Sequence, residues 1–412
     1  MSNDRAPKVL MLAYACNPDG SGEHWLGWGW AEQAAKNYRV HLVTTPNARE
    51  AVTREAGKHG ITPHFVAVPG WLHVVTGRFG RFGAWLRKMD WAYRAHRFTR
   101  HLHAQEKFAL AHQTTFHTFR IPFLATRLGI PTVWGPIAGG EHIPFGFYKF
   151  IGPLFLPESI RRVFNRIWLH LPVVQEALQC ASVIFASNHT TMDYLGTEFA
   201  GKCIVVPPNA MREEDRARPG PASPRPNDGT FRLLYVGNCL ATRAMPLAFA
   251  ALARTNLKNW QLDILGAGSG LKFWQREAHK HGVAERVKFR GQIPRDQLAA
   301  FYEQADVLVF PALRDSGGSA LLEAMSKGLP VLCLDWGGPT EMVAPDSGVK
   351  IPITTPDETT QRFADALVRL ERDPQLRARL GGCAAERARA HFTWDYKRQL
   401  LETTYQRLLA GQ

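Results

Sequence analysis

Short apolar runs alternate with helix-forming runs through most of the chain, and this alternation limits the fold more than any other feature. KVLMLAYA is followed by LGWGWAEQAAKN and RVHLVTT, and later PTVWGP and ASVIFAS return to strand-like composition. After residue 230 the series starts again with FRLLYVGN, PLAFAALART, WQLDILGAG, RVKFRGQ, DQLAAFYEQA, DVLVFPA and LPVLCLDWGG. Repeated strand–helix units imply a mostly parallel sheet with helices on both faces, and two series imply two doubly wound, Rossmann-like α/β domains. Between them REEDRARPGPASPRPNDG is rich in proline and charge and lacks periodicity, as an interdomain linker would be. The expected organisation is an N-terminal domain over 1–211, a linker over 212–229 and a second domain over 230–390. A helix over 391–412 would then pack back toward the first domain. Ligands of open parallel sheets bind beyond the carboxyl ends of the strands, so two such domains are expected to face each other across a ligand-binding cleft.

A length of 412 residues suits two or three domains, and 45% hydrophobic with 21% charged residues is a globular composition. The opening apolar run, VLMLAYA, is short and follows Asp4 and Arg5, which reads as a first strand rather than a signal peptide. No stretch of about 18 uncharged apolar residues occurs, so no membrane-spanning segment is expected. Six scattered cysteines without close pairing argue for reduced thiols, hence a cytoplasmic setting, and against a zinc site. The formal charge of +14 points to an anionic partner: nucleic acid, a membrane surface or a phosphorylated substrate.

The most informative stretch is PALRDSGGSALLEAMSKGLPV. ADVLVF before it reads as a buried strand ended by Pro311, and SALLEAMSKG as a helix stopped at Gly328. A strand, a glycine loop and a helix start leave backbone N–H groups pointing out of the positive end of the helix, where a phosphate fits. Asp315 and Glu323 flank that tip, and carboxylates accept hydrogen bonds from sugar hydroxyls, so the pair is expected to hold sugar rings on either side of a phosphate.

These residues carry a resemblance. VGNCLATRA, LDILGAGSG, the run from VKFRGQIPRDQ to GLPVLC, and WGGPTE stand in the order found in the donor domain of retaining glycosyltransferases of family 4, which have the two-domain GT-B fold. SGEHWLGWGWA and HQTTFHTFRIPFLATRLGIPTVWGPIAGGE resemble the first half of a bacterial, polysaccharide-type branch of that family. The resemblance implies transfer of a sugar from a UDP- or GDP-sugar to a glycan or lipid-linked glycan of the exopolysaccharide, capsule or lipopolysaccharide kind. The family's paired glutamates fall on Asp315, for the transferred sugar, and Glu323, for the ribose. Its phosphate-clamping Arg and Lys fall on Asn238 and Arg243. Asp for Glu shortens one arm by a methylene, Asn for Arg removes a cation, and Arg314 is the candidate to replace it.

Cleaving a sugar–diphosphate bond leaves negative charge on the departing phosphate, so fixed positive charge and N–H dipoles are needed there. Arg243, the helix tip at Gly317, Gly318 and Ser319, and the loop Gly20-Ser21-Gly22 are the candidates. In the retaining reaction that the resemblance implies, the acceptor attacks on the face the leaving group vacates and a phosphate oxygen takes its proton. No Asp-x-Asp motif occurs, so neither a metal nor a cofactor beyond the donor is expected. His112 and His117 follow a strand expected to end at the site, and Glu141 follows GPIAGG; all three are candidate acceptor or sugar contacts. A dinucleotide oxidoreductase, suggested by LDILGAGSG, a catalytically impaired GT-B binding protein, suggested by Asn238, and a nucleic-acid binder, suggested by charge alone, stand as alternatives; the last finds no supporting motif.

From Trp71 to Gln105 seven Lys or Arg face the single acid Asp90, interleaved with aromatics. A helix there is expected to pack Phe82, Trp85, Leu86, Met89 and Tyr93 inward. Trp91 and Phe98 would then point outward beside Arg87 and Arg94 to an anionic membrane, which places the protein at the inner face of the cell membrane.

Overall fold

A computed structural model describes residues 6–213 and 228–411. The linker expected at 212–229 lies almost wholly outside the described residues. The chain divides into two compact units, each built on one parallel sheet.

In the first unit the strands are β1 (Lys8–Ala13), β2 (Arg39–Thr44), β3 (Thr62–Phe65), β4 (Leu110–Gln113), β5 (Thr132–Ile137), β6 (Val183–Ala186) and β7 (Cys203–Val205). They lie in the order β3-β2-β1-β4-β5-β6-β7, every neighbouring pair parallel. The helices are α1 (Glu23–Ala35), α2 (Arg49–His59), α3 (Gly70–Gly77), α4 (Gly80–Glu106), α5 (Phe155–Leu169), α6 (Pro172–Cys180) and α7 (His189–Leu195), of which α5 carries the chain from the second unit back into the first. Apolar residues on opposite faces of β1 join separate cores, Leu10 and Leu12 in one and Val9 and Met11 in the other, as the period-2 geometry of a strand requires.

The second unit holds β8 (Phe231–Val236), β9 (Trp260–Leu265), β10 (Val287–Gly291), β11 (Val307–Phe310), β12 (Val331–Leu334) and β13 (Gly348–Ile351), in the parallel order β10-β9-β8-β11-β12-β13. Its helices are α8 (Met245–Ala253), α9 (Leu271–Lys280), α10 (Arg295–Gln304), α11 (Ser319–Ser326), α12 (Gly338–Met342), α13 (Pro356–Arg372) and α14 (Pro374–His391). The last helix, α15 (Trp394–Ala410), belongs to the first unit, where Leu401 and Tyr405 enter the core and Trp394 packs on Trp30.

The unit boundaries depart from the expected ones. Residues 141–163 belong to the second unit rather than to a continuous 1–211 domain, because Ile143, Phe147, Phe150 and Ile151 are buried in the core formed by β8 and α8. The sequence around them, IPFGFYKFIGPL, has no strand or helix periodicity that would tie it to either series.

The long helix α4 meets expectation only in part: Trp85 and Met89 pack against the core as expected, but the rest of the stripe does not. Trp91 is fully buried, its Nε1 donating to the Val66 carbonyl (3.0 Å), and Phe98 is half-buried, whereas Phe82 and Tyr93 are exposed. The buried face is Trp91, Ala92, Ala95, His96, Thr99 and Leu102. Aromatic content on both sides of the helix left its wheel ambiguous.

His112, expected at a ligand, is a core residue. It is fully buried on β4, with Nε2–H donating to the Gly135 carbonyl (2.8 Å) and Nδ1 accepting the Tyr405 hydroxyl (2.6 Å), so neither nitrogen is left for an acceptor. Burial holds its pKa down at about 4, and burial beside His64 does the same for His41. Unfolded histidine titrates near 6.5, so between about pH 6.5 and 4 the unfolded chain binds protons that the folded chain refuses. Stability is fully present above pH 6.5 and is lost as pH falls, by up to about 3 kcal/mol for His112. Urea midpoints should therefore fall between pH 7 and 5; a flat profile would contradict neutral burial.

Candidate functional site

The strand order reverses between β8 and β11 in the second unit and between β1 and β4 in the first, and doubly wound sheets bind ligands at the carboxyl ends of the strands at such reversals. The chain leaving β8 leads to Arg243, and the chain leaving β11 leads to Asp315. Both are brought together: Asp315 Oδ2 is ion-paired with Arg243 Nη1. Arg243 Nη1 also lies 3.2 Å from the Arg314 carbonyl, and its guanidinium lies over the Phe310 ring at 5.6 Å. Burial lowers the guanidinium's pKa, with the Tyr235 phenol opposing.

Asp315 is 8% exposed, and its other oxygen, Oδ1, accepts the N–H groups of Gly317 and Gly318 at 2.8 Å each. This is an Asx turn at the tip of α11, the local bond that Asp makes two and three residues ahead of itself. It corrects the expectation that these two amides stand open to a phosphate, since the carboxylate of Asp315 already fills the positive end of the helix. The short arm matters here: Asp reaches its own turn, and a longer side chain would reach past it. The turn is held from two further sides. Asn209 Nδ2 donates to the Gly317 carbonyl, and Gly338 N donates to the Asp315 carbonyl (2.8 Å). A Cβ on Gly338 would lie 2.5 Å from Gly317 N, so only glycine lets the WGGP loop approach this closely.

Glu323, half-buried on α11, accepts the Tyr302 hydroxyl at 2.8 Å and has Arg295 Nη1 at 3.7 Å. Arg314 does not join Arg243 around an open space. It pairs with buried Glu158 on α5, which also accepts Arg161 Nε (3.0 Å), and Arg161 Nη2 reaches the Glu141 carbonyl (2.7 Å). Glu141 is buried beside Gly337, next to the Asp315 loop, within the second unit. Asn238 is exposed, and its carbonyl, rather than its side chain, accepts the Tyr235 hydroxyl (3.0 Å). Ser319 opens α11 behind Gly318, whose φ of +35° suits glycine.

The glycines of LDILGAGSG serve packing rather than a dinucleotide fingerprint. Gly266, at φ +140°, lies so close to the Gly237 carbonyl oxygen that a Cβ would overlap it, and Gly270 N donates to the Cys239 carbonyl (2.7 Å). These bonds fasten the loop after β9 to the loop after β8, which holds Arg243 in place.

At the reversal of the first sheet, half-buried Gly20 and exposed Ser21 and Gly22 form the approach to α1, with Gly22 at φ +56° as its N-cap. The first residue of the helix, Glu23, was not singled out in the sequence. Its Oε1 accepts the N–H of Phe116 (2.7 Å), a buried residue in the left-handed region at φ +75°, directly before His117. Burial lowers the pKa of His117, opposed by Glu23. For Glu23 burial alone would raise the carboxyl, but His117, Lys88 and the Phe116 N–H outweigh it and leave it below the usual range. The strained Phe116 and the carboxylate that steadies it make this loop a built feature rather than a chance turn. Glu158, Arg161, Asn209 and Tyr302 were likewise not foreseen; Asn209 and Tyr302 meet partners far along the chain, whereas Glu158 and Arg161, three apart on α5, and Glu23, opening a helix beside a glycine loop, had local signals.

Two parallel, doubly wound sheets, one in each unit, each with charged loops at its strand-order reversal, make the GT-B fold. Residues 221–387 match the model of the family described as glycosyl transferases group 1. Among curated relatives the chain is 32% identical over 258 residues to a D-inositol 3-phosphate glycosyltransferase of Streptomyces avermitilis, covering 58% of this chain and 53% of the relative. It is 27% identical over 249 residues to a GDP-mannose-dependent alpha-(1-6)-phosphatidylinositol monomannoside mannosyltransferase of Mycobacterium tuberculosis, covering 55% of this chain and 63% of the relative. The chain thus matches about half, or less, of the length of the first of these relatives. Sucrose-phosphate synthase from Thermosynechococcus elongatus superposes with a TM-score of 0.64 at 18% identity over 98% of this chain and all of the other. Anabaena HepE, solved with UDP and glucose, gives 0.61 at 16% identity over 97% of this chain and 99% of the other.

Proposed function

We propose that this transferase moves a hexosyl group, with retention, from a UDP- or GDP-sugar to a glycan or lipid-linked glycan acceptor, without a metal or a further cofactor. The observation that carries the reading is the Arg243–Asp315 pair at the strand-order reversal of the second sheet, where a half-buried cation is held by an ion pair in the place a leaving diphosphate needs one. Arg243 stabilises the charge that develops as the sugar–phosphate bond breaks. Glu323, oriented by the Tyr302 hydroxyl, accepts the ribose hydroxyls. Asp315 holds the loop and the arginine, and reaches the transferred sugar through that loop. The N–H groups of Ser319 and Ala320 complete the helix tip behind the Asx turn. On the first unit, the loop Gly20-Ser21-Gly22 is the donor-binding loop and His117 an acceptor contact, staying neutral so that it accepts a hydrogen bond from a hydroxyl. The GDP-mannose-dependent phosphatidylinositol monomannoside mannosyltransferase of Mycobacterium tuberculosis supports a lipid-linked acceptor, and such an acceptor would place a cytoplasmic protein at the inner face of the membrane.

A thermal-shift series tests this reading. UDP or GDP at about 100 times its Kd should stabilise the protein by about 2.7 kcal/mol, with NAD(P) silent. A panel of UDP- and GDP-sugars read by slow donor hydrolysis then identifies the sugar. Nucleotide binding without hydrolysis of any donor would favour the impaired binding protein, and stabilisation by NAD(P) alone would overturn the transferase.

A further inference from the structure

The first unit exposes a run of large apolar side chains, the kind of feature that marks an interaction surface. On α3, Trp71, Val74 and Val75 face solvent, Val74 at 76% exposure, and Phe79 and Phe82 follow at the start of α4. On α5, Phe164 and Ile167 are exposed. An unbroken row of rings joins the two patches: Phe82 to Trp85 at 5.6 Å, Trp85 to Trp168 at 4.9 Å, and Trp168 to Phe164 at 5.1 Å.

The helix α5 is itself inverted with respect to a soluble protein. FLPESIRRVFNRIWL shows Leu156, Ile160, Val163, Phe164 and Ile167 to solvent as one stripe, and buries Glu158, Asn165 and Leu169 on the opposite side. Amphipathic helices of globular proteins bury the apolar stripe, so this one is built to meet an apolar medium. Arg166 stands exposed at the rim of the stripe and Arg78 between Val75 and Phe79. The single acid between Trp71 and Gln105, Asp90, is already paired with Arg94 at 2.8 Å.

We propose that α3, the start of α4 and the end of α5 that carries Phe164 and Ile167, all in the first unit, form a docking surface for a bilayer containing anionic phospholipid. Rings and aliphatic side chains enter the headgroup–acyl boundary while arginines remain at the level of the phosphates, which is the layout found here. A second copy of the chain fits less well, because a two-fold contact would set the same arginines against each other in a protein of net charge +14. The inference rests on the transferase reading only for its purpose, to hold the protein beside a lipid-linked acceptor; vesicle binding itself needs no turnover.

Cosedimentation of the full chain with vesicles of phosphatidylcholine, with and without phosphatidylglycerol, tests it. The protein should pellet with anionic vesicles at low salt and be released at about 0.5 M salt. The triple variant Val74→Glu, Phe82→Glu, Ile167→Glu, all at exposed positions, should lose binding by roughly tenfold or more, and Arg78→Glu with Arg166→Glu should do the same. Nucleotide thermal shifts unchanged in these variants show that they fold. No pelleting at low salt, equal pelleting with neutral and anionic vesicles, equal pelleting of variants and wild type, or a lipid-free dimer abolished by the same variants would each overturn the proposal, whether or not any donor is hydrolysed.

Discussion

Asp315→Ala is expected to lower donor turnover by about a hundredfold and to destabilise the second unit by about 3 kcal/mol. The two effects have separate origins. The carboxylate occupies the N–H groups of Gly317 and Gly318, and its removal leaves both without an acceptor at the tip of α11. It also leaves Arg243 without its counter-ion in a largely buried position, and the loss of one member of such a pair costs more than the pair itself contributes. Arg243→Ala should lose a similar factor in turnover, since a charge-assisted contact to a developing anion is worth about 3 kcal/mol. The double variant should fall no further than either single one, because the two act as a unit. Asp315→Asn separates the roles: its amide oxygen still accepts the two N–H groups, so the turn's share of the stability should return, while the share lost with Arg243's counter-ion and the turnover should not. Asp315→Glu, which carries the longer arm of the family, should be impaired here, because an added methylene in a buried turn costs about 1–3 kcal/mol. Turnover and denaturant midpoints measured together decide it. A folded Asp315→Ala protein within a factor of two of wild type would remove the pair from the site.

Glu323→Ala should weaken nucleotide binding by between tenfold and a hundredfold, a loss of about 1.5–3 kcal/mol for charge-assisted hydrogen bonds to a ribose. The effect should fall on KM more than on kcat, since ribose contacts are made equally in the ground and transition states. Tyr302→Phe removes the hydroxyl that orients Glu323 Oε2 and should show a weaker version of the same change, about 1 kcal/mol. Calorimetric titration with UDP and GDP checks both. If Glu323→Ala binds nucleotide as wild type does, the ribose is held elsewhere.

The fold class was legible because it depends on local composition. Strands such as KVLMLAYA and DVLVFPA are apolar and short, the runs between them form helices, and the two series separate at a proline-rich stretch; chain connectivity then makes the sheets parallel. The strand, loop and helix around Asp315 were legible for the same reason, since an Asx turn and a helix start are matters of residues two and three apart.

What the carboxylate does there was not legible. Nothing local to DSGGS says that Asp315 meets Arg243 from the loop after β8, or that Gly338 closes over the turn; those neighbours arrive only when β8 and β11 lie side by side. His112 and His117 show the same limit, five residues apart in one sequence motif: one is sealed in the core by Tyr405, a residue 293 positions away, and the other stands at the strand end beside Glu23. The membrane-facing side of α4 was misassigned for a related reason, because both sides of the helix carry rings and only the sheet beneath decides which indole is covered. Sequence by itself determined the elements, their parallel order within each unit and the loops that carry charge, all set by interactions a few residues long. Tertiary structure alone decided which charges pair, which histidine is buried and which apolar stripe is left facing outward, because desolvation and ion pairing depend on neighbours that are distant in the chain and adjacent only in the folded protein.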